Sequence, residues 1–141
     1  MNAKPEEILS ITQVRVGRPT NQLAEMIRFY CEGMGLELLM NFPEDQAGYA
    51  GAVLGVPGSN YHLEFCVHED GFTSSQISPP TDDHLFVLYL PGKAHYDTVV
   101  GRLQNLGHQP VRAKNSHWDL DGVTFKDPDG WRVVLMRQSN I

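Results

Sequence analysis

Basic residues are few: 11 lysines and arginines stand against 17 aspartates and glutamates, a net charge of −6. No basic block occurs. The chain is therefore a poor candidate for sequence-independent nucleic-acid binding, which depends on neutralising phosphates. Cysteine is scarcer still, with only Cys31 and Cys66 and no C-x-x-C pair. That excludes a cysteine-rich structural zinc site, and it suggests no disulfide. A reduced, cytoplasmic protein is the default expectation. No apolar run approaches the roughly 18 residues of a membrane span, and the segment Met1–Ser10 has no signal-peptide core. What remains is 141 residues, 41% hydrophobic and 20% charged. This is enough for one domain with a real core.

The chain carries an internal repeat at about half its length. Each half reads strand, helix, then three strands. In the first half, residues 11–17 alternate as a strand. Leu23, Met26, Ile27, Tyr30 and Met34 form a helical stripe, and Gly35 closes it. Strands follow at 36–42, 49–56 and 61–67. In the second half, residues 83–90 read as a strand. Tyr96, Val99, Val100, Leu103 and Leu106 form the second stripe, and Gly107 ends it. Strands are predicted at 109–114, 122–126 and 131–137. Leu23 and Tyr96, Ile27 and Val100, and Tyr30 and Leu103 are each 73 apart, Gly35 and Gly107 are 72 apart, and Gln13 and His84 are 71 apart. The drift is expected to lie in loops. Residues 68–82, rich in Ser, Pro, Gly and Asp, read as the linker between modules 11–67 and 83–137.

These residues resemble a known superfamily. Phe29-Tyr30 followed by Gly33-Met34-Gly35-Leu36 is similar to a helix end of the vicinal-oxygen-chelate proteins. Asp127-Pro128-Asp129-Gly130 before Val133-Val134-Leu135 resembles their final hairpin, and Tyr61-His62-Leu63-Glu64-Phe65 the strand that closes their first half. The superfamily includes glyoxalase I, fosfomycin-resistance transferases, extradiol dioxygenases and bleomycin-resistance proteins. The resemblance implies an α+β fold. Two βαβββ modules form a U-shaped, half-open sheet with a concave cavity and the helices packed outside. It also implies a homodimer, with modules from both chains able to build each site. One scaffold carries many chemistries, so the reaction does not follow from the fold.

Strand alternation predicts a helix-facing set of Val14, Val16, Leu63, Phe65, Val67, Leu85, Val87, Val133 and Leu135. The cavity-facing set is then Gln13, Arg15, His62, Glu64, Cys66, His84, Phe86, Leu88, Arg132, Val134 and Met136. The resemblance implies four metal-ligand positions, which fall here on Gln13, Glu64, His84 and Val134. The first three fit a glyoxalase-like ligand set. Val134 has no lone pair, so it removes a ligand and also the base of the glyoxalase reaction. Three ligands with an open position can still hold a divalent ion. Glu64 can equally be a cavity carboxylate paired with Arg15 or Arg132.

Arg15 and Arg132 offer bidentate recognition of an anionic or carbonyl-bearing molecule, or simple charge balance. Phe86 and Trp118 are candidate pocket walls. Two readings stay open. One is a bleomycin-resistance-like protein that binds a small oxygenated or anionic molecule through Arg15, His62, Glu64, His84, Phe86, Trp118 and Arg132, with a degenerate metal site. The other is a metal-dependent lyase, isomerase or transferase with Gln13, Glu64 and His84 as ligands.

Overall fold

The computed structural model describes residues 4–139. After a short 3-10 turn at Pro5–Glu7, the first module runs β1 (Val14–Pro19), a helix, β2 (Glu37–Phe42), β3 (Tyr49–Gly55) and β4 (Tyr61–His68). Its sheet has the order β1-β4-β3-β2, with β1 parallel to β4. The helix begins as α1 (Leu23–Ile27) and continues through a π-helical segment, Arg28–Gly33. The Met34 amide reaches back five residues to the Phe29 carbonyl at 3.0 Å. A π segment holds one residue more than the matching α turn. The one-residue drift between the helix stripes and their closing glycines therefore lies inside the first helix, not in a loop. Both helices end alike. Gly35 and Gly107 take φ of +93° and +94°, a conformation that favours glycine.

The linker is ordered into a short helix, α2 (Ser74–Ile77), with a capping box at Thr73 and Gln76. Asn21 clamps it to the first module through both hydrogen bonds of the Phe72 backbone, at 2.8 and 2.9 Å. The second module runs β5 (Leu85–Tyr89), α3 (Lys93–Asn105), a 3-10 turn (Ser116–Asp119), β6 (Gly122–Lys126) and β7 (Arg132–Met136). Its sheet has only three strands, ordered β5-β7-β6. The strand expected at 109–114 does not form. One isolated bridge, Val111 with Thr124, is all that pairs it to β6. Pro110 has no N–H to give a ladder, and the Ala113 amide is taken by the Asp119 carboxylate at 3.3 Å.

One core unites both modules. Met26, Phe29, Tyr30 and Met34 from the first helix meet Val99 and Leu103 from α3. Around them lie Ala52, Leu54, Leu63 and Phe65 of the first sheet and Phe125, Val133 and Leu135 of the second. The helix pair thus sits between the two sheets. A Cβ on Gly33 would lie 2.5 Å from Leu103 Cδ2, so glycine lets the helices approach. Arg102 locks the contact by donating to the Gly33 and Met34 carbonyls at 3.0 and 3.2 Å. The other face of each sheet turns away from the shared helix layer.

Candidate functional site

The faces follow from register and burial. On β4, Leu63 and Phe65 enter the core, so His62, Glu64 and Cys66 project from the opposite face. β1 pairs Arg15 with His62 and Gly17 with Glu64, which places Arg15 on that free face as expected. On β7, Val133 and Leu135 enter the core, and Arg132, Val134 and Met136 project from the other side. β5 differs from the sequence reading. Phe86 pairs with Val133 and Leu88 with Leu135, and both pack against the core. Leu85 and Val87 take the free face instead. Residues 85–90 are all apolar, so alternation had no polar residue with which to phase the strand.

This register moves His84 to the core side of the strand. Its Nδ1 lies 3.0 Å from Thr81 Oγ1, and its ring stands edge-on to Trp131 with centroids 6.2 Å apart. Arg15 pairs with His62 as Leu85 pairs with Arg132, and Arg15 to Leu85 and His62 to Arg132 are each 70 apart in sequence. Asp83, rather than His84, thus matches Gln13. Glu64 lies on the first sheet, with Gln13 just before its strand β1, and Val134 lies on the second, with His84 just before its strand β5. Among the described residues, no group of three or more His, Cys, Asp and Glu side chains is placed to hold a metal ion. The donor chemistry agrees. Arg15 Nη1 donates to Glu64 Oε1 at 3.2 Å, with both side chains about one-third exposed. Val134 is a fully buried hydrocarbon. The residues at the family metal positions do not fit a metal centre in this chain.

Arg132 is enclosed, at 8% exposure. Its Nη1 donates to the Arg112 carbonyl at 3.0 Å, and its Nη2 lies 3.4 Å from Asp82 Oδ2. Its Nε has no partner, and neither does Thr124 Oγ1. A buried polar atom left unpaired costs about 1–3 kcal/mol, so both are expensive features. Sequence reasoning missed Thr124. Its only signal is a hydroxyl between the core residues Val123 and Phe125 of β6. Trp118 is half-buried in the 3-10 turn that lies against the same face. A Cβ on Gly122 would lie 2.4 Å from Met136 Sδ and 2.8 Å from the Trp118 carbonyl.

A separate cavity of about 540 Å³ opens on the helix side, between the edge strands β1 and β5. Val14, Val16, Tyr61, Leu63, Phe86 and Leu88 are among its walls, so its lining is mainly apolar. His62 also borders it, with a buried Nδ1 that has no partner.

The YycE-like N-terminal domain model matches residues 14–66 and the YycE-like C-terminal domain model residues 83–137. The chain belongs to the YycE-like family, within the vicinal-oxygen-chelate superfamily. It is 41% identical to the uncharacterized protein YycE of Bacillus subtilis (strain 168) over 129 residues, covering 92% of this chain and 90% of that protein. A crystal structure of YycE from Bacillus subtilis superposes with a TM-score of 0.82, covering 92% of both chains. Glyoxalase I of Leishmania major gives a TM-score of 0.67 at 17% identity, covering 92% of this chain and 88% of that one. TnmS3, an antibiotic-binding protein from Streptomyces sp. CB03234, gives 0.60 at 23% identity, covering 92% of this chain and 96% of that one. The last two likenesses concern the fold alone. No helix among the described residues is long and apolar enough to cross a membrane.

Proposed function

We propose that this YycE-like chain binds a small oxygenated or anionic molecule on the free sheet faces and does so without a metal. The observation that carries this reading is the fate of the metal positions. Glu64 is held by Arg15, and Val134 offers only hydrocarbon. Each free face carries an arginine, Arg15 or Arg132, the side chain best suited to planar oxyanions. Thermal-shift screening of small carboxylates, phosphonates and oxygenated aromatic compounds tests it. A stabilising ligand whose effect is lost in Arg15→Ala or Arg132→Lys is expected. Stoichiometric zinc, nickel or manganese binding abolished by Glu64→Ala would overturn it.

The working unit in this reading is a homodimer. Val14, Val16 and Tyr61 are 47–50% exposed beside the apolar cavity, and the edge strands β1 and β5 flank it with unpaired ladders. Such edges and apolar surface favour a partner.

A further inference from the structure

The strand that does not form has a place of its own. In the first sheet, β2 pairs with β3 from Glu37 to Phe42. The corresponding segment of the second module leaves β6 after Val111 and crosses the free face of the second sheet. One contact ties the segment to that face: Arg132 Nη1 donates to the Arg112 carbonyl. Beneath this roof Val134 and Met136 are 0% and 2% exposed. The bonds that join its leading end to the sheet are Val111 N–H to the Thr124 carbonyl, 2.8 Å, and Arg132 to Arg112. At its trailing end the Asp121 carbonyl accepts from the Arg137 amide at 2.8 Å. The Asn115–His117 and Asp119–Ala113 bonds are internal to the segment.

Two orphaned polar atoms lie on this face. Thr124 pairs in register with Val134, and Arg132 stands two residues from Val134 on the same strand. Their side chains therefore flank the position where the family places a fourth metal ligand. Thr124 is 0% and Arg132 8% exposed, yet Thr124 Oγ1 and Arg132 Nε have no partner. A guanidinium N–H and a hydroxyl can both donate. With no lone-pair donor at 134, they suit an oxyanion rather than a cation. The charge can be balanced as well. Asp82, the counter-ion of Arg132, is 55% exposed on its side chain and 3.4 Å away. An incoming carboxylate can replace it.

We propose that residues 111–119 form a flap over an oxyanion site, in which Arg132 Nε and Thr124 Oγ1 donate to a carboxylate or phosphoryl oxygen of a small ligand. This rests on the binding reading above and narrows its ligand to one bearing an oxyanion. The test is ¹⁵N NMR on the full chain, titrated with oxalate and with inorganic phosphate. The Arg132 Nε–H signal, assigned by its disappearance in Arg132→Lys, shifts saturably with at least one of them. Thr124→Val weakens that probe about tenfold and leaves the melting temperature of the free chain unchanged or raised, since it removes an orphan. The Val111 amide exchanges faster than that of Leu135. An unmoved Arg132 signal with both probes, unchanged affinity in Thr124→Val, or a Val111 amide as protected as Leu135 overturns the proposal. A ligand that binds through Arg15 while leaving the Arg132 signal unmoved removes the flap site and keeps the broader reading.

Discussion

The Tyr30 hydroxyl donates to Asp127 Oδ2 at 2.7 Å, joining residues 97 positions apart. Arg18 Nη2 donates to the same carboxylate oxygen at 2.8 Å and to the Tyr30 hydroxyl at 3.0 Å. The other oxygen, Asp127 Oδ1, accepts the amides of Asp129 and Trp131 and so shapes the final turn. Arg18 also stacks over Trp131, 4.5 Å from the ring centroid. The Phe-Tyr helix motif and the Asp-Pro-Asp-Gly turn are thus two halves of one interlock between the modules.

Breaking that interlock should be costly. The Asp127 side chain is fully buried and Arg18 is 15% exposed. Asp127→Asn leaves an arginine without its counter-charge, and a loss of about 3–5 kcal/mol is expected. Chemical denaturation at neutral pH measures it. A loss below about 1 kcal/mol would mean that Arg18 finds another partner.

The tyrosine of the interlock adds a pH dependence. Burial, then the Asp127 charge, raise the Tyr30 hydroxyl well above its ordinary 10.0. The unfolded chain therefore gives up this proton first as pH rises. The contribution is complete below about pH 10 and is lost progressively above it. Tyr30→Phe should cost about 1 kcal/mol at pH 7 through the lost hydrogen bonds. It should also flatten the alkaline decline between pH 9 and 11, seen in denaturation midpoints. An equally steep decline in the variant would assign it to another group, with Tyr96, also raised mainly by burial, the next candidate.

Restoring a carboxylate at the missing metal position should not restore a metal site. Val134→Glu puts an acid where the native side chain is fully buried. Destabilisation of about 3 kcal/mol or more is expected. Calorimetric titration with zinc, nickel and manganese should show no gain over the native chain. Tighter binding of any of these ions would revive the metal-dependent reading.

The proposed dimer places Val16 at a contact. It is 50% exposed on an edge strand and lines the apolar cavity. Val16→Asp should leave the circular dichroism spectrum unchanged and shift sedimentation from dimer to monomer at micromolar concentration. A native chain that sediments only as monomer would remove the dimer.

Much of the architecture was legible because it rests on local rules. The helix stripes, the glycines that close them and the polar alternation of β1 and β4 each carry their own phase. Where that local signal was missing, the reading slipped. Residues 85–90 offer only apolar side chains, so the face of β5 was set by its pairing with β7. His84, just before the strand, falls on the core side with Phe86 and Leu88. The segment 109–114 looked like a strand by analogy with β2. Its carbonyl at Arg112 and its amide at Ala113 found tertiary partners instead.

The sequence by itself determined that the chain is an acidic, cysteine-poor α+β protein made of two related modules, because hydrophobic periodicity and turn chemistry act over a few residues. It also determined that one metal position lacks a donor, since no packing can give valine a lone pair. Only the tertiary structure decided that Glu64 belongs to Arg15, that Tyr30 and Asp127 lock the modules together, and that Thr124 Oγ1 and Arg132 Nε are left without a partner beside a peeled strand. These relationships depend on groups brought within about 3 Å from distant parts of the chain, at the range where hydrogen bonds form.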